Sequence, residues 1–184
     1  KSVEIVKSDL VISDPQWAPD GKRIAYVTNP TPRADDGSLS DIYIANADGS
    51  GAPRKLLEND GPDTQPRWSP DGTRIAFNSR DAKNGELGIA QLQIIPAEGG
   101  KPRIIGADLP APAADVRWSR DGSTLYFRDN QGTTAQIFSI PAAGGGVKAL
   151  TRDAAVTGAY SLSAAGDRVA FTRSDLEHPA EVYV

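Results

Sequence analysis

The sequence repeats one short motif at intervals of about 50 residues. A tryptophan is followed three positions later by Asp-Gly at residues 15–21 (PQWAPDG), 66–72 (PRWSPDG) and 116–122 (VRWSRDG), and a degenerate copy without tryptophan spans 161–166 (SLSAAG). The tryptophans are separated by 51 and 50 residues, and Leu162 follows the last of them by 44. A period of about 40 to 50 residues is typical of propellers and other repeat arrays. The chain is therefore predicted to be an array of similar units.

Each copy of the motif is followed by a run of alternating apolar residues. The runs are RIAYV at 23–27, RIAF at 74–77, TLYF at 124–127 and RVAF at 168–171. Asp-Gly tolerates the positive φ of a tight hairpin turn, and β-branched and aromatic residues suit a half-buried strand. The pattern predicts four β-hairpins. It also predicts that valine destabilises the fold more at Gly72, in the turn, than at Gly51.

A second motif alternates with the first. It reads DIYIANADG at 41–49, IIPAEG at 94–99 and IFSIPAAG at 137–144, and short strand-like segments follow it at 54–57, 103–105 and 147–150. One period thus holds four strands separated by turn signals, which is the pattern of a β-propeller blade. Loops such as residues 29–40, rich in Pro, Asp, Gly and Ser, are expected on a rim.

We predict an all-β fold, a β-propeller segment of about four four-stranded blades that is part of a larger propeller. Residues 1–184 form a single segment, and the blade motifs lie near 15–57, 66–105, 116–150 and 161–184. Residues 1–8 are predicted to be a strand of a neighbouring blade. Such an array is favoured as an open, excised fragment that self-associates through its edge strands. In the alternative, residues 3–6 complete the last blade and close a small ring.

Composition excludes several classes of function. The formal net charge is −4 and the 20 basic residues are scattered, which argues against a nucleic-acid partner. No apolar run reaches the roughly 20 residues that a membrane span needs. Cysteine is absent, so disulfides and thiolate metal sites are excluded, and the absence of methionine indicates a processed or excised chain. Composition does not distinguish a bacterial periplasm from a cytoplasm.

The repeats resemble those of two families. The W-[SA]-P-D-G hairpin, the following R-I-A-[FY] and the segment DIYIANADG are similar to the propeller repeats of TolB and of the N-terminal propellers of the prolyl oligopeptidase family. Residues 171–184 resemble the last blade of acylaminoacyl-peptidase-type propellers. The resemblance implies a non-catalytic propeller that gates substrate and acts as a scaffold beside a C-terminal α/β-hydrolase domain. The alternative is a TolB-like interaction propeller that binds a protein or an extended peptide at its central funnel.

The sequence predicts no catalytic residue. A hydrolase nucleophile elbow reads G-x-S-x-G, and residues 158–163 (GAYSLS) fail that pattern. His178 is the only histidine, so a Ser-His-Asp relay would need it; we interpret it as a loop residue before the last strand. A carbohydrate enzyme is a more distant alternative, because strands alone define no pair of carboxylates at a known spacing.

Two sets of acidic residues have structural interpretations. The cluster at residues 35–41 (DDGSLSD) matches no complete calcium loop, and we interpret it as a solvated turn. Asp20, Asp71 and Asp121 recur in phase within the hairpins, so we assign them to the shaping of the turns. No metal or cofactor is predicted.

The three tryptophans have two interpretations. Trp17, Trp68 and Trp118 would suit a surface that stacks on sugars or bases. Their equivalent positions in successive blades instead favour equivalent packing sites between blades, and this is the interpretation we adopt.

Overall fold

The computed structural model describes residues 4–80, 88–107 and 109–184. Blade 1 comprises β1 (Val11–Trp17), β2 (Arg23–Asn29), β3 (Asp41–Asn46) and β4 (Arg54–Lys55). Blade 2 comprises β5 (Asp63–Trp68), β6 (Arg74–Ser79), β7 (Gln91–Pro96) and β8 (Arg103–Ile104). Blade 3 comprises β9 (Ala114–Trp118), β10 (Thr124–Gln131), β11 (Thr134–Pro141) and β12 (Lys148–Ala149). Blade 4 comprises β13 (Val156–Leu162), β14 (Val169–Ser174) and β15 (Glu181–Tyr183).

The sheet topology confirms an all-β propeller segment. Within each blade the strands pair antiparallel in chain order, each with the next. Blade 4 has three strands and touches the sheet of blade 3 through one parallel pair, Ala135 with Val156. The helical segment within the described residues is a six-residue 3₁₀ helix at Ala34–Leu39, which agrees with the expectation of no helix of ordinary length.

Two strand boundaries differ from the sequence prediction. The strand β1 begins at Val11, four residues before the motif at 15–21. A bulge between Ser13 and Gln16 interrupts the alternation of inward-facing and outward-facing residues in β1, so the sequence pattern did not include the first part of the strand. Residues 4–8, the described part of the predicted 1–8 strand, are assigned to no strand. Their pairing with a neighbouring blade stays a prediction.

The hydrophobic core lies between blades, because alternate residues of each strand face opposite neighbours. Ile75 and Phe77 of β6 pack towards blade 1, against Val27 and Ile42. The intervening Ala76 packs towards blade 3 in a second cluster, with Leu92, Ile94, Val116, Leu125 and Phe127. A blade therefore contributes to two cores, and each fully buried Ile, Leu or Phe stabilises the fold by about 1.5–3 kcal/mol.

An arginine and a tryptophan join blade 1 to blade 2. The guanidinium of Arg23 lies 4.8 Å from the ring centroid of Trp68 and donates to the Gly72 carbonyl at 3.1 Å. The indole N–H of Trp68 donates back to the Gln16 carbonyl at 3.2 Å. We call this reciprocal contact the Arg–Trp clasp. It pairs the half-buried guanidinium of Arg23 and the indole N–H of Trp68 with backbone acceptors, and the stacking adds about 0.5–2 kcal/mol.

The same clasp joins blade 2 to blade 3. Arg74 lies 4.9 Å from the ring centroid of Trp118 and donates to the Gly122 carbonyl at 2.9 Å. The indole N–H of Trp118 donates to the Arg67 carbonyl at 2.9 Å. The predicted inter-blade role of the tryptophans is therefore confirmed for Trp68 and Trp118.

The contact between blades 3 and 4 is different. Thr124 and Leu162 stand where the other blades have the arginine and the tryptophan. Tyr160 takes over part of the role, since its hydroxyl donates to the Asp115 carbonyl at 2.7 Å and Arg117 lies 5.0 Å from its ring centroid. Burial raises the pKa of the Tyr160 hydroxyl, which therefore stays a neutral donor.

Trp17 contradicts the prediction. Its surface is 63% exposed, against 8% for Trp68, because no blade packs over it among the described residues. The expectation of equivalent packing for the three tryptophans is wrong for this one.

The hairpin turns form as predicted. Gly72 has a φ of +68°, and the backbone N–H of Thr73 donates to Asp71 Oδ1 at 3.0 Å, as in an Asx turn. The Ser69 hydroxyl donates to the same oxygen at 2.5 Å and, with Thr73, lowers the pKa of Asp71 to about 2. Asp20 and Asp121 accept the equivalent backbone bonds at 2.8 and 3.0 Å. These aspartates therefore shape turns.

The sequence-based prediction used Gly51 as the less constrained position for comparison with Gly72, but the structure shows that Gly51 is constrained as well. Its φ is +72°, so valine is strained there as well as at Gly72. Gly146 is the better comparison, because its φ lies outside the left-handed region and a β-carbon there would meet no atom within 4 Å.

We expect Gly72→Val to lower the free energy of unfolding by about 1–3 kcal/mol more than Gly146→Val. The reason is that a β-branched residue at a φ of +68° is forced into the left-handed region. Urea unfolding of the two variants measures the difference. Equal effects would show that the turn does not hold this conformation.

We expect Trp68→Ala to cost about 3–5 kcal/mol, the range for deleting a large buried aromatic residue. Trp17→Ala in the same chain should cost less than about 1 kcal/mol, since an exposed residue loses little packing. Urea unfolding followed by circular dichroism measures both. A cost below about 1 kcal/mol for Trp68 would mean that the clasp does not hold the blades together.

Candidate binding site on the central face

The first strands of blades 1, 2 and 3 lie side by side on the central face of the array. The strand β5 contacts both β1 and β9, the first strands of its two neighbours. A groove of about 400 Å³ opens along these strands, lined by the three tryptophans together with Gln16, Arg67, Asp115 and Arg117. Because three blades contribute to it, this groove is a candidate binding site.

Three equivalent bulges shape the groove. Asp14, Gln65 and Asp115 each stand three residues before a tryptophan and have φ values of +45°, +55° and +50°. Each lies where the pairing of the first two strands shifts register. Non-glycine residues at a positive φ are strained by about 1 kcal/mol or more. A bulge also changes the direction of the side chains beside it. The residue two positions after each bulge, Gln16, Arg67 or Arg117, lines the groove.

Charged side chains lie along the bulges. Arg67 Nη1 lies 3.0 Å from Asp14 Oδ2, an ion pair that joins blades 1 and 2. The Gln16 amide donates to the other Asp14 oxygen at 2.9 Å. Arg117 pairs with Asp115 of its own strand at 3.2 Å, and 44% of its side chain is exposed, against 24% for Arg67. Arg117 is therefore the more accessible cation, and its guanidinium is suited to a carboxylate or a peptide carbonyl.

A buried carboxyl lies at the start of β5. The backbone N–H of Asp63 donates to the Ser40 carbonyl of blade 1 at 2.8 Å, and its Oδ1 accepts from the Asn59 amide at 3.1 Å. Its Oδ2 is buried without a hydrogen-bond partner among the described residues. Burial raises the pKa of Asp63 to about 6, against the opposing hydrogen bonds from Ser79 and Asn59. The ionised form is thus disfavoured in the folded state.

We expect the free energy of unfolding to fall as the pH rises from about 4 to about 7, by about 2–3 kcal/mol through Asp63 alone. The folded chain keeps the Asp63 proton up to a pKa of about 6, whereas an aspartate in the unfolded chain has its ordinary pKa of 3.8, so unfolding releases a proton between these pH values. Asp63→Asn should remove this slope. Urea unfolding between pH 4 and pH 8 measures it.

The matched control is Asp48→Asn, because a hydrogen bond from Ser50 lowers the pKa of Asp48 instead of raising it. That variant should leave the slope between pH 4 and pH 7 intact. An unchanged slope in Asp63→Asn would contradict the role given to the buried carboxyl.

The residues weighed for catalysis lie outside this groove. His178 lies in the loop between β14 and β15, where its Nδ1 is 2.9 Å from Asp175 Oδ1. The Ser163 hydroxyl donates to Asp167 at 2.8 Å within the last hairpin, and Ser161 is exposed on β13. His178 and Ser163 therefore contact local turn residues, Ser161 lies on a strand, and the structure does not bring them together as a relay.

The acidic cluster at 35–41 has a structural setting. Residues 34–39 form the 3₁₀ helix, and the side chains of residues 34–36 lie outside those that the structure describes. Asp41 Oδ1 lies 3.0 Å from the Lys55 ammonium, so its charge is neutralised within blade 1. Across the described side chains, no group of three or more His, Asp or Glu residues is arranged to hold a metal ion. No helix in the same part of the chain has the length and apolarity of a membrane span.

A groove of about 640 Å³ lies between blades 3 and 4. Ile137 and Leu150 line one side and Phe171 lines the other. It accompanies the looser packing of blade 4, where each residue of β14 is only half-buried. Arg152, Asp153, Asp167 and Arg168 also line it, so it is charged as the central groove is. It is formed by two blades, whereas three blades contribute to the central groove, which we therefore take as the candidate site.

Sequence comparison identifies related proteins. A family model described as TolB beta propeller domain matches residues 1–182. The Bacillus subtilis protein named "Uncharacterized peptidase YuxL" is 29% identical over 214 residues, which cover 94% of this chain and 32% of YuxL. Dipeptidyl-peptidase 5 of Trichophyton schoenleinii is 32% identical over 136 residues, which cover 67% of this chain and 18% of that protein. The chain thus spans a third or less of these curated relatives.

Comparison with solved structures supports the same fold. TolB from Acinetobacter baumannii superposes on 97% of this chain with a TM-score of 0.71 and 24% sequence identity. The superposition covers 41% of that TolB chain. The repeats seen in the sequence, the four blades and these comparisons agree on one kind of propeller.

Proposed function

Because this chain belongs to the TolB β-propeller domain family, we propose that it is the non-catalytic propeller portion of a larger serine peptidase of the prolyl oligopeptidase or acylaminoacyl-peptidase type. The observation that carries the proposal is the match to YuxL, which runs along 94% of this chain but only 32% of that peptidase. The relatives matched by sequence are peptidases, and the matched part is a propeller.

In this proposal the nucleophile belongs to another domain of the longer protein. The chain has no G-x-S-x-G elbow, and its single histidine pairs with a neighbouring aspartate in a surface loop. A C-terminal α/β-hydrolase domain would supply the serine, the base and the oxyanion donors. The propeller would act as a scaffold for that domain.

The gating role rests on the central groove. A groove of about 400 Å³ has the volume of a small ligand-binding site and can accommodate a few residues of an extended peptide. Arg117 is exposed within it and offers a cation to a peptide carboxylate or carbonyl oxygen. Substrates that reach the hydrolase domain by this route would be selected for short, unfolded chains.

We expect the 184-residue chain to hydrolyse no aminoacyl, acyl-aminoacyl or dipeptidyl chromogenic substrate, and the longer protein to react covalently with a fluorophosphonate probe. A base takes the proton of the serine hydroxyl as its oxygen attacks the phosphorus, the P–F bond breaks with loss of fluoride, and the serine keeps the phosphonyl group of the probe. Gel fluorescence and mass spectrometry of the labelled peptide locate the serine. Turnover by the chain alone that is lost in Ser161→Ala or Ser163→Ala would contradict the non-catalytic assignment.

We expect Arg117→Ala in the longer protein to change selection by substrate length. The ratio of kcat/KM for a peptide of about ten residues to that for a dipeptidyl chromogenic substrate should fall about 3–10-fold, the effect of losing one exposed charged contact. Lys101→Ala, on an exposed outer turn, is the matched control and should leave the ratio unchanged. An unchanged ratio in Arg117→Ala would show that substrates do not pass along the central groove.

The second candidate is a TolB-like interaction propeller. The family model and the charged central groove without a nucleophile favour it. The probe experiment separates the two: no labelling of the longer protein, with saturable binding of an extended peptide that Arg117→Ala weakens, would support the interaction protein.

A further inference from the structure

An ion pair joins the first strands of blades 1 and 2 on the central face. Arg67, one residue before the tryptophan of blade 2, lies 3.0 Å from Asp14 Oδ2, and Asp14 stands three residues before the tryptophan of blade 1. The two residues thus hold fixed positions in the repeat. A chain that kept both residue types in every blade would neutralise each arginine of the central face with a carboxylate of the blade before it.

The interface between blades 2 and 3 departs from this pattern. Arg117 stands at the position of Arg67, but the position of Asp14 is held by Gln65, which carries no charge. Arg117 pairs instead with Asp115 of its own strand, at 3.2 Å from Oδ1. This interface therefore has the arginine of the pair without the carboxylate on the preceding blade.

The contact with Asp115 leaves Arg117 able to bind a ligand. Its bonds to the two carboxylate oxygens, at 3.2 and 3.4 Å, use Nη2 alone, whereas a guanidinium has five N–H groups. An ion pair in which 44% of the arginine side chain is exposed contributes little to stability, so a competing acceptor can replace it. The ring of Tyr160 lies 5.0 Å from the guanidinium and limits its orientation. Arg117 is thus a held but accessible donor.

The donors around Asp14 identify the chemical group that fits beside Arg117. Asp14 accepts hydrogen bonds from the guanidinium of Arg67 and from the amide of Gln16. A ligand carboxylate between Arg117 and Gln65 would meet the same two kinds of donor, a guanidinium and an amide. A nucleic acid is disfavoured, because the chain has a net charge of −4 and its basic residues are scattered.

We propose that Arg117 and Gln65, at the interface between blades 2 and 3, form a subsite for a carboxylate of an extended peptide. The carboxylate would come from the C-terminus of the peptide or from a glutamate or aspartate side chain, and it would bind Arg117 as Asp14 binds Arg67. The inference rests on the proposed passage or binding of a peptide along the central groove and adds the chemical class that the groove selects. It applies to a peptidase and to an interaction protein.

The test measures binding of fluorescent hexapeptides to the longer protein after treatment with the fluorophosphonate probe, which blocks a serine nucleophile. Three otherwise uncharged peptides carry a free C-terminal carboxylate, a C-terminal amide, or a C-terminal amide with one internal glutamate. Fluorescence anisotropy gives each Kd. We expect a carboxylate peptide to bind about 5–20-fold more tightly than the plain amide, as for a charge-assisted hydrogen bond at a half-exposed site. The peptide that shows this preference identifies the source of the carboxylate.

Variants of the two residues test the subsite itself. Arg117→Ala should abolish the preference. Gln65→Asp should reduce it to less than about 2-fold, because an aspartate there would pair with Arg117 and compete with the ligand. Gln65→Asn is the matched control without the charge and should keep the preference, and both replacements tolerate the φ of +55° at this position. Asp115→Asn should tighten binding of the carboxylate peptide about 2–5-fold, since it removes the competing acceptor.

Arg152→Ala controls for net charge, because it removes an exposed arginine of the groove between blades 3 and 4 and should leave the preference unchanged. Equal binding of the three peptides would overturn the carboxylate subsite alone, since a peptide would still occupy the groove. A preference that survives both Arg117→Ala and Gln65→Asp would also overturn it. Absence of binding by any peptide would overturn it together with the proposed use of the groove. A carboxylate preference in a longer protein that the probe does not label would support the subsite in an interaction protein.

Discussion

The structure depends on the contact between adjacent blades, because a single four-stranded sheet has two faces to cover and no core of its own. The Arg–Trp clasp of Arg23 with Trp68 shows how this contact is made specific. Packing of Ile75 and Phe77 against blade 1 supplies the area, while the clasp pairs each polar group with a backbone oxygen. Stability and orientation of the blades thus come from the same few residues.

Much of the fold was predictable from local sequence because its determinants are local. The turn at Asp71 and Gly72 needs only an Asx hydrogen bond and a positive φ, and both follow from the residue types. The alternation of apolar residues then assigns the two faces of each sheet. The exposure of Trp17 was not predictable, since it depends on what covers a face and not on the motif.

Most of the candidate site was not predicted from the sequence. The bulges at Asp14, Gln65 and Asp115 place non-glycine residues at positive φ, so no glycine marks them. Their spacing before each tryptophan is regular, and that periodicity is the signal that would have revealed them. The raised pKa of Asp63 arises from its burial in the folded chain, and no short motif reveals that burial.

The acceptors of the clasp have an evolutionary consequence. Each donor of one blade meets a main-chain oxygen of the next or the previous blade, namely those of Gln16, Arg67, Gly72 and Gly122. A main-chain oxygen is present whatever the side chain, so substitution of Gln16 or Arg67 leaves the acceptor in place, whereas Gly72 and Gly122 are constrained by the positive φ of their turns. A duplicated blade would fit beside its parent without compensating mutations, and a propeller built this way can gain or lose blades by tandem duplication or deletion of its gene segment.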